Sequence, residues 1–143
     1  MKLVDLSLLL YAIDERAPSH DRARAWLEDV LSGTEEVGFA WAVLLGFVRL
    51  STSPAVFEAP LEAADALDVV DGWLAQPVAV VVDPSERHTR NLRDLLSPLG
   101  TAGNLTTDAH LAALAIEHGA ELCSRDADFS RFPGLRWRDP LAS

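Results

Sequence analysis

The chain has a single cysteine, a single methionine, a single tyrosine and a single lysine among 143 residues. With Cys123 alone, neither an intramolecular disulfide nor a cysteine zinc cluster can form. No apolar run approaches the roughly 20 residues needed to cross a bilayer as a helix. Leu6 to Ile13 is apolar, but it is too short and badly flanked for a signal peptide, so a cytosolic, non-membrane protein is expected. Positive charge is scarce: 12 Lys and Arg stand against 22 Asp and Glu, for a net charge of −10. That balance excludes a protein that holds nucleic acid by bulk electrostatic attraction, although not an enzyme with a local basic rim. Apart from Lys2 every cation is an arginine, the better bidentate partner for phosphate. No internal repeat or low-complexity tract appears.

Apolar residues make up 49% of the chain, enough for a real core, and the length predicts a single domain over 1–143. Strand-like and helix-like runs alternate. Leu3-Val4 opens a short strand, and Ser7 can cap the turn or helix after it. Pro18-Ser19 precedes a helix through about Leu31, with Ala23, Trp26, Leu27 and Val30 at helical spacing and a stop at Gly33. Val37 to Ala40 reads as a short strand, Trp41 to Leu50 as a buried helix ended by Pro54, and Leu61 to Ala75 as an amphipathic helix. The β-branched run Val78 to Val82 predicts a parallel strand buried on both faces. Asp83-Pro84-Ser85-Glu86 supplies the elements of a capping box with proline at the first helical position, for a helix ending near Gly100. Asn104 to His118 reads as a helix stopped by Gly119, followed by a strand at Ala120 to Cys123 and an edge strand at Gly134 to Trp137. This alternation implies a parallel sheet with right-handed crossovers.

Three aspartate-bearing spots fall at seams between these runs: Asp5, Asp108, and the pair Asp126 and Asp128. Each has an ordinary local explanation. Asp5 can cap a helix, Asp108 can face a helix dipole, and Asp126 and Asp128 can serve a turn. What they share is a place near strand ends, where open α/β sheets bind ligands. Carboxylates gathered there repel one another unless a cation joins them, and a hard divalent ion such as Mg²⁺ prefers oxygen ligands. The chemistry suggested is one-metal or two-metal hydrolysis of a phosphodiester, with the Asp side chains holding the ion rather than attacking. Ser7 and Ser124 are placed to hydrogen-bond a carboxylate or a bound water, or simply to serve as turn residues.

The four histidines, His20, His88, His110 and His118, match no metalloprotease or triad pattern and read as surface or structural groups, with one exception to keep: His110 is two residues from Asp108, although helical geometry points it away. Arg87, Arg90 and Arg93 share a helix with His88 and form either a solvated face or a phosphate-contacting rim. Trp26, Trp41 and Trp73 lie on apolar faces, as core or as interface. Trp41, Phe47 and Trp73 together offer more large apolar surface than such short strands need, so some is expected to be covered by a partner. Phosphoryl transfer through an aspartate is disfavoured: Ser occupies position 7, where a haloacid dehalogenase-type phosphatase needs its second acid, and Lys2 is the wrong lysine for a phospho-receiver.

The segments Val4-Asp5-Leu6-Ser7-Leu8-Leu9, Thr107-Asp108-Ala109-His110-Leu111-Ala112-Ala113-Leu114-Ala115 and Ser124-Arg125-Asp126-Ala127-Asp128-Phe129 resemble PIN-domain ribonucleases, specifically the VapC toxins of bacterial toxin–antitoxin pairs. The tail Arg131 to Trp137 is similar to that of actinobacterial members. The resemblance spans essentially the whole chain. It implies a three-layer α/β/α sandwich on a short-stranded parallel sheet, Mg²⁺- or Mn²⁺-dependent endonucleolytic cleavage of RNA, a homodimer, and inhibition by a small VapB-like antitoxin. By the same resemblance Asp5, Asp108 and Asp126 are metal-binding acids and Asp128 an accessory. One position departs from the pattern. Gly46 stands where many members carry a Glu, so a module that binds RNA or a partner with weakened turnover is the rival expectation.

Overall fold

A computed structural model describes residues 1–142. Five parallel strands form one sheet: β1 (Lys2–Val4), β2 (Val37–Phe39), β3 (Ala79–Val81), β4 (Glu121–Cys123) and β5 (Trp137–Arg138), in the order β3-β2-β1-β4-β5. Register is set by Lys2 opposite Val37 and Glu121, and by Val4 opposite Cys123. Six helices flank the sheet: α1 (Leu6–Ile13), α2 (His20–Leu31), α3 (Trp41–Ser51), α4 (Ala63–Leu74), α5 (His88–Leu96) and α6 (Thr106–Glu117). α1 packs on α2 and α3, α3 on α4, and α5 on α6. The parallel sheet is the one expected from the alternation of runs, and the α/β sandwich the one that the family resemblance implies.

The strand order explains where a site can form. From β1 the chain steps outward to β2 and then β3. The α5–α6 crossover returns it to the other side of β1, where β4 begins. The order therefore reverses between β1 and β4, and the crevice beyond their carboxyl ends is the topological switch point. The residues directly after these two strands are Asp5 and Ser124. Leu3, Val4, Leu122 and Cys123 are fully buried, so the strands that carry the site are anchored in the centre of the core.

Two local expectations fail, for tertiary reasons. Val78 to Val82 is not buried on both faces. β3 lies at the edge of the sheet, and Val81 is 38% exposed; a β-branched run signals a strand but not its place in the order. Asp83 to Glu86 caps no helix, because α5 starts at His88 with Arg87 at its N-cap position. The Ser85 amide instead donates to Glu117 Oε1 at 2.8 Å, and the Arg87 amide donates to Ser85 Oγ at 3.1 Å. A distant carboxylate on α6 has taken the role assigned to the local one. The helix read from Asn104 begins at Thr106, after a 3-10 turn over Gly103–Leu105. The last strand is Trp137–Arg138 rather than Gly134 to Trp137.

Candidate active site at the switch point

Asp5 leaves β1 in extended conformation at the N-cap position of α1, with no side-chain capping bond. Its amide donates to Cys123 O at 3.0 Å, which continues the β1–β4 ladder by one residue. Its carboxylate is turned toward β4 and is 8% exposed as a residue. Oδ2 accepts a 2.6 Å bond from Ser124 Oγ and a 3.3 Å bond from Ser7 Oγ. Ser124 is fully buried, and its hydroxyl also accepts from the Asp126 amide at 3.0 Å. One hydroxyl thus ties the acid after β1 to the loop after β4. Asp126 in turn caps the 3-10 turn Ala127–Arg131, with Oδ1 accepting from the Asp128 amide at 2.9 Å. Asp128 is exposed and pairs with Arg131 at 3.7 Å.

Asp108 comes from the first turn of α6, beside the helix's positive end. No capping bond at that terminus uses it. Its side chain makes no hydrogen bond and no ion pair among the described residues, and it is half-buried. Burial, and then the charges of Asp126, Asp5 and Asp128, push its pKa up from 3.8 to about 6. Burial raises the Asp5 pKa as well. The Ser124 and Ser7 hydrogen bonds pull it down, and Asp126 pushes it up further. Asp108 therefore feels the charges of the other three sequence-picked aspartates, and Asp5 that of Asp126. Among the described residues no cation forms an ion pair with Asp5, Asp108 or Asp126.

These donors are hard oxygens, the chemistry a hard divalent cation takes. Among the described residues no hydrogen bond reaches the Asp108 carboxylate, and the one to the Asp126 carboxylate goes to Oδ1. Among the described residues no three acid, histidine or cysteine side chains are arranged as a ready-made ion cage. The acids gather at one edge with excess negative charge and without closing on a common point.

Gly46 lies on α3, fully inside the fold. A Cβ there would meet Leu6 Cδ2 at 2.8 Å. Leu6 follows Asp5 directly, so the glycine lets α3 approach the helix that begins at the site. The expected apolar surplus is smaller than the sequence suggests. Phe47 is fully buried, and Trp73 packs edge-on against it with ring centroids 4.7 Å apart. Only Trp41, 49% exposed, remains outside, with Leu45 one turn along α3 at 62%.

The histidine reading missed a network. His88 Nε2 and His110 Nδ1 share a 2.8 Å hydrogen bond, and His88 Nδ1 lies 2.8 Å from Glu117 Oε2. Asn91 Nδ2 donates to the same carboxylate oxygen at 2.9 Å. The available signal was the seven-residue spacing of His110 and Glu117, which places both on one face of α6. Burial pushes the Glu117 pKa up, but the bonds from Ser85, Asn91 and His88 prevail and hold it below the usual range. Burial, and then His88, lowers that of His110. This cluster clamps α5 to α6 and thereby holds the helix that presents Asp108. Arg125, next to Asp126, turns away to Ser19 Oγ at 2.9 Å and Asp139 at 3.3 Å. Arg87, Arg90 and Arg93 are exposed.

A protein-family model described as PIN domain matches residues 2–135. The chain is 49% identical over 142 residues to ribonuclease VapC37 of Mycobacterium tuberculosis, with 99% of each covered. It is 45% identical over 141 residues to ribonuclease VapC33 of the same species, again with 99% of each covered. Its fold is similar to a chain of VapBC2 from Rickettsia felis, solved bound to a promoter DNA fragment, with a TM-score of 0.70, 21% identity and 96% of each chain covered. It is also similar to VapBC-1 from nontypeable Haemophilus influenzae, with a TM-score of 0.69, 15% identity, and 99% of this chain and 98% of that one covered.

Proposed function

Since this chain belongs to the PIN-domain family, we propose that it acts as one unit, a metal-dependent endoribonuclease and the toxin of a type II toxin–antitoxin pair. The observation that carries the reading is the switch-point cluster. Four aspartates from three separate segments gather along that edge without closing on one point, and Asp108 has its pKa held at about 6 by burial and its neighbours, with no ion pair among the described residues. Asp5, Asp108 and Asp126 would hold Mg²⁺ or Mn²⁺. Such an ion, when bound, stabilises charge on a phosphodiester and lowers the pKa of a coordinated water. The chain's own groups do the positioning. Ser124 and Ser7 fix Asp5 Oδ2. The Asp128 amide fixes Asp126 Oδ1, and Asp128 is an accessory acid at the rim. Asp108, with no hydrogen bonds of its own, can turn to meet a ligand.

The partners follow from surface chemistry. A groove of about 340 Å³ lies between α1, α2 and α4, floored by Ala12, Leu27, Leu31 and Trp73 and edged by the Arg24–Glu28 pair. It suits the apolar face of an amphipathic antitoxin helix. Trp41 and Leu45 suit a second copy of the chain. No described helix is long and apolar enough to cross a membrane, and the function proposed belongs in the cytoplasm, where RNA is.

The test is RNA cleavage by purified protein. Cleavage that needs added Mg²⁺ or Mn²⁺, stops with a chelator and is abolished by Asp108→Asn supports the reading. Metal-independent cleavage, or full activity in the variant, refutes it. The packing of Gly46 against Leu6 supports a second reading, a module that binds RNA or a partner with weakened turnover, because no acid occupies that helix. RNA retention without cleavage at saturating metal would select it.

A further inference from the structure

The α5–α6 pair carries a row of arginines that the fold leaves unpaired. Among the described residues every lysine or arginine side chain except Arg49, Arg87, Arg90 and Arg93 forms an ion pair or donates to a backbone carbonyl. Three of these four stand at intervals of three residues and climb the exposed side of α5 over about 9 Å at 1.5 Å per residue. The chain has 22 acids against 12 cations, so an arginine meets a carboxylate more readily than it avoids one. Glu86 and Asp94 adjoin the row in sequence and pair with none of it. The result is a local positive face on an acidic protein.

That face has a fixed place relative to the aspartates. Glu117 accepts from the Ser85 amide, His88 and Asn91, and His88 also bonds His110. α5 is therefore locked against α6, the helix that presents Asp108. Beside Arg87 a cleft of about 490 Å³ opens between the start of α5 and the end of α6, lined also by Ser85, Asn91 and Ile116. Ile116 is 38% exposed and offers apolar surface. Ser85 is exposed, and its Oγ accepts from the Arg87 amide while keeping its own proton to give. Asn91 donates through Nδ2, and its Oδ1 is not enclosed and accepts nothing among the described residues. Ile116 lies eight residues from Asp108 along α6, about 12 Å, the span of three or four stacked nucleotides at roughly 3.4 Å each.

These parts match two chemistries of one ligand. Guanidinium forks suit phosphate. Apolar surface beside a donor and an acceptor suits an unpaired base, whose edges are free to bond. A duplex keeps its bases inside and meets the arginines alone. Resting on the nuclease reading above, we propose that the α5 arginines and this cleft seat a single-stranded stretch of the RNA substrate that flanks the bond cut at the switch point. Arg87, Arg90 and Arg93 hold phosphates of the strand. One base turns out into the cleft against Ile116, with its edge on Ser85 Oγ and Asn91 Oδ1.

The experiment is fluorescence anisotropy of a short end-labelled RNA single strand of mixed sequence, titrated with the full chain in Mg²⁺ across a range of NaCl. The chain carries Asp108→Asn so that the RNA stays intact. The single strand should bind more tightly than the same strand annealed to its complement. Replacing Arg87, Arg90 and Arg93 together by Gln should lower the slope of log Kd against log salt by about 2, at roughly 0.7 per phosphate contact. All three are exposed and Gln is a good helix former, so the variant folds. Arg16→Gln with Arg138→Gln, which removes two exposed arginines elsewhere on the surface, should leave the slope unchanged. Ile116→Glu should weaken the single strand roughly fivefold, near the lower value of one base contact, and leave the duplex unaffected. An unchanged slope in the triple variant, an equal loss in the Arg16 and Arg138 control, a duplex that binds as tightly, or Ile116→Glu without effect would overturn the proposal. With Asp108 restored, steady-state cleavage by the triple variant should show a raised KM and an unaltered kcat. Metal-dependent cleavage whose KM ignores the triple variant removes this seat and keeps the nuclease reading. Binding through α5 by a chain that never cleaves keeps the seat and removes the nuclease reading.

Discussion

Replacing Asp108 with Asn should stabilise the metal-free protein at neutral pH and remove part of its pH dependence. A carboxyl held at about 6 instead of 3.8 is about 3 kcal/mol harder to ionise in the folded state than in the unfolded chain. The side chain is part exposed, so screening by water reduces that to about 1–2 kcal/mol. The sign follows from the direction of the shift. A raised folded pKa means full stability while the group is protonated in both states, below about 4. Stability is then lost as pH rises toward and through about 6. Asn keeps the shape without the charge, so the variant escapes that loss. Melting curves of both proteins in chelator, from pH 4.5 to 8, should separate progressively. By pH 7.5 the variant should melt higher by roughly 3 °C for each kcal/mol. His110 titrates with the opposite sign in the same window, its pKa being lowered by burial and by His88; taking the difference between the two proteins cancels it. Saturating Mg²⁺ should raise the wild type more than the variant and reverse or shrink the gap. Parallel curves across the range, or a variant less stable at pH 7.5, would refute the idea that burial, and then repulsion from Asp126, Asp5 and Asp128, disfavours the Asp108 carboxylate.

Ser124→Ala removes the 2.6 Å bond to Asp5 and the acceptor for the Asp126 amide, and should cost about 1–3 kcal/mol as well as slowing cleavage; chemical denaturation showing no loss would mean water replaces the hydroxyl fully. Gly46→Ala should be close to neutral, because a helix-propensity gain of about 1 kcal/mol is set against a Cβ 2.8 Å from Cδ2 at the movable end of the half-buried Leu6 side chain, and a loss well above about 1 kcal/mol in chemical denaturation would show that Leu6 cannot yield. Gly46→Glu should tighten Mg²⁺ binding and speed cleavage if its carboxyl can pass Leu6 toward Asp5; calorimetric titration showing no change in a folded variant would place that position outside the site. Trp41→Ala with Leu45→Ala should shift the sedimentation of the antitoxin-free protein toward the monomer while leaving its melting nearly unchanged, and an unaltered sedimentation coefficient would remove α3 from the dimer interface.

The element types, the parallel sheet and the candidate acids were legible in the sequence. They rest on local patterns, such as the period of the apolar residues, the Gly119 stop after α6, and the placing of Asp5 and Asp126 after apolar runs. The family resemblance was legible too, because the three segments containing Asp5, Asp108 and Asp126 keep their order. The rest depends on strand order and on contacts between distant segments. Val78 to Val82 has the composition of a central strand, yet β3 is an edge, because burial is set by which strands stand beside it. Ser85 has acids near it in sequence and is bonded by Glu117, 32 residues away. His88 and His110 look scattered until the packing of α5 on α6 brings them to 2.8 Å. Phe47 and Trp73 read as spare apolar surface until α4 folds over α3 and buries one against the other. The charge state of Asp108 is likewise a tertiary quantity. Nothing in Thr107-Asp108-Ala109 raises a carboxyl pKa; the tertiary fold does, first by half-burying the group and then, through the reversal of strand order between β1 and β4, by bringing three other carboxylates near it.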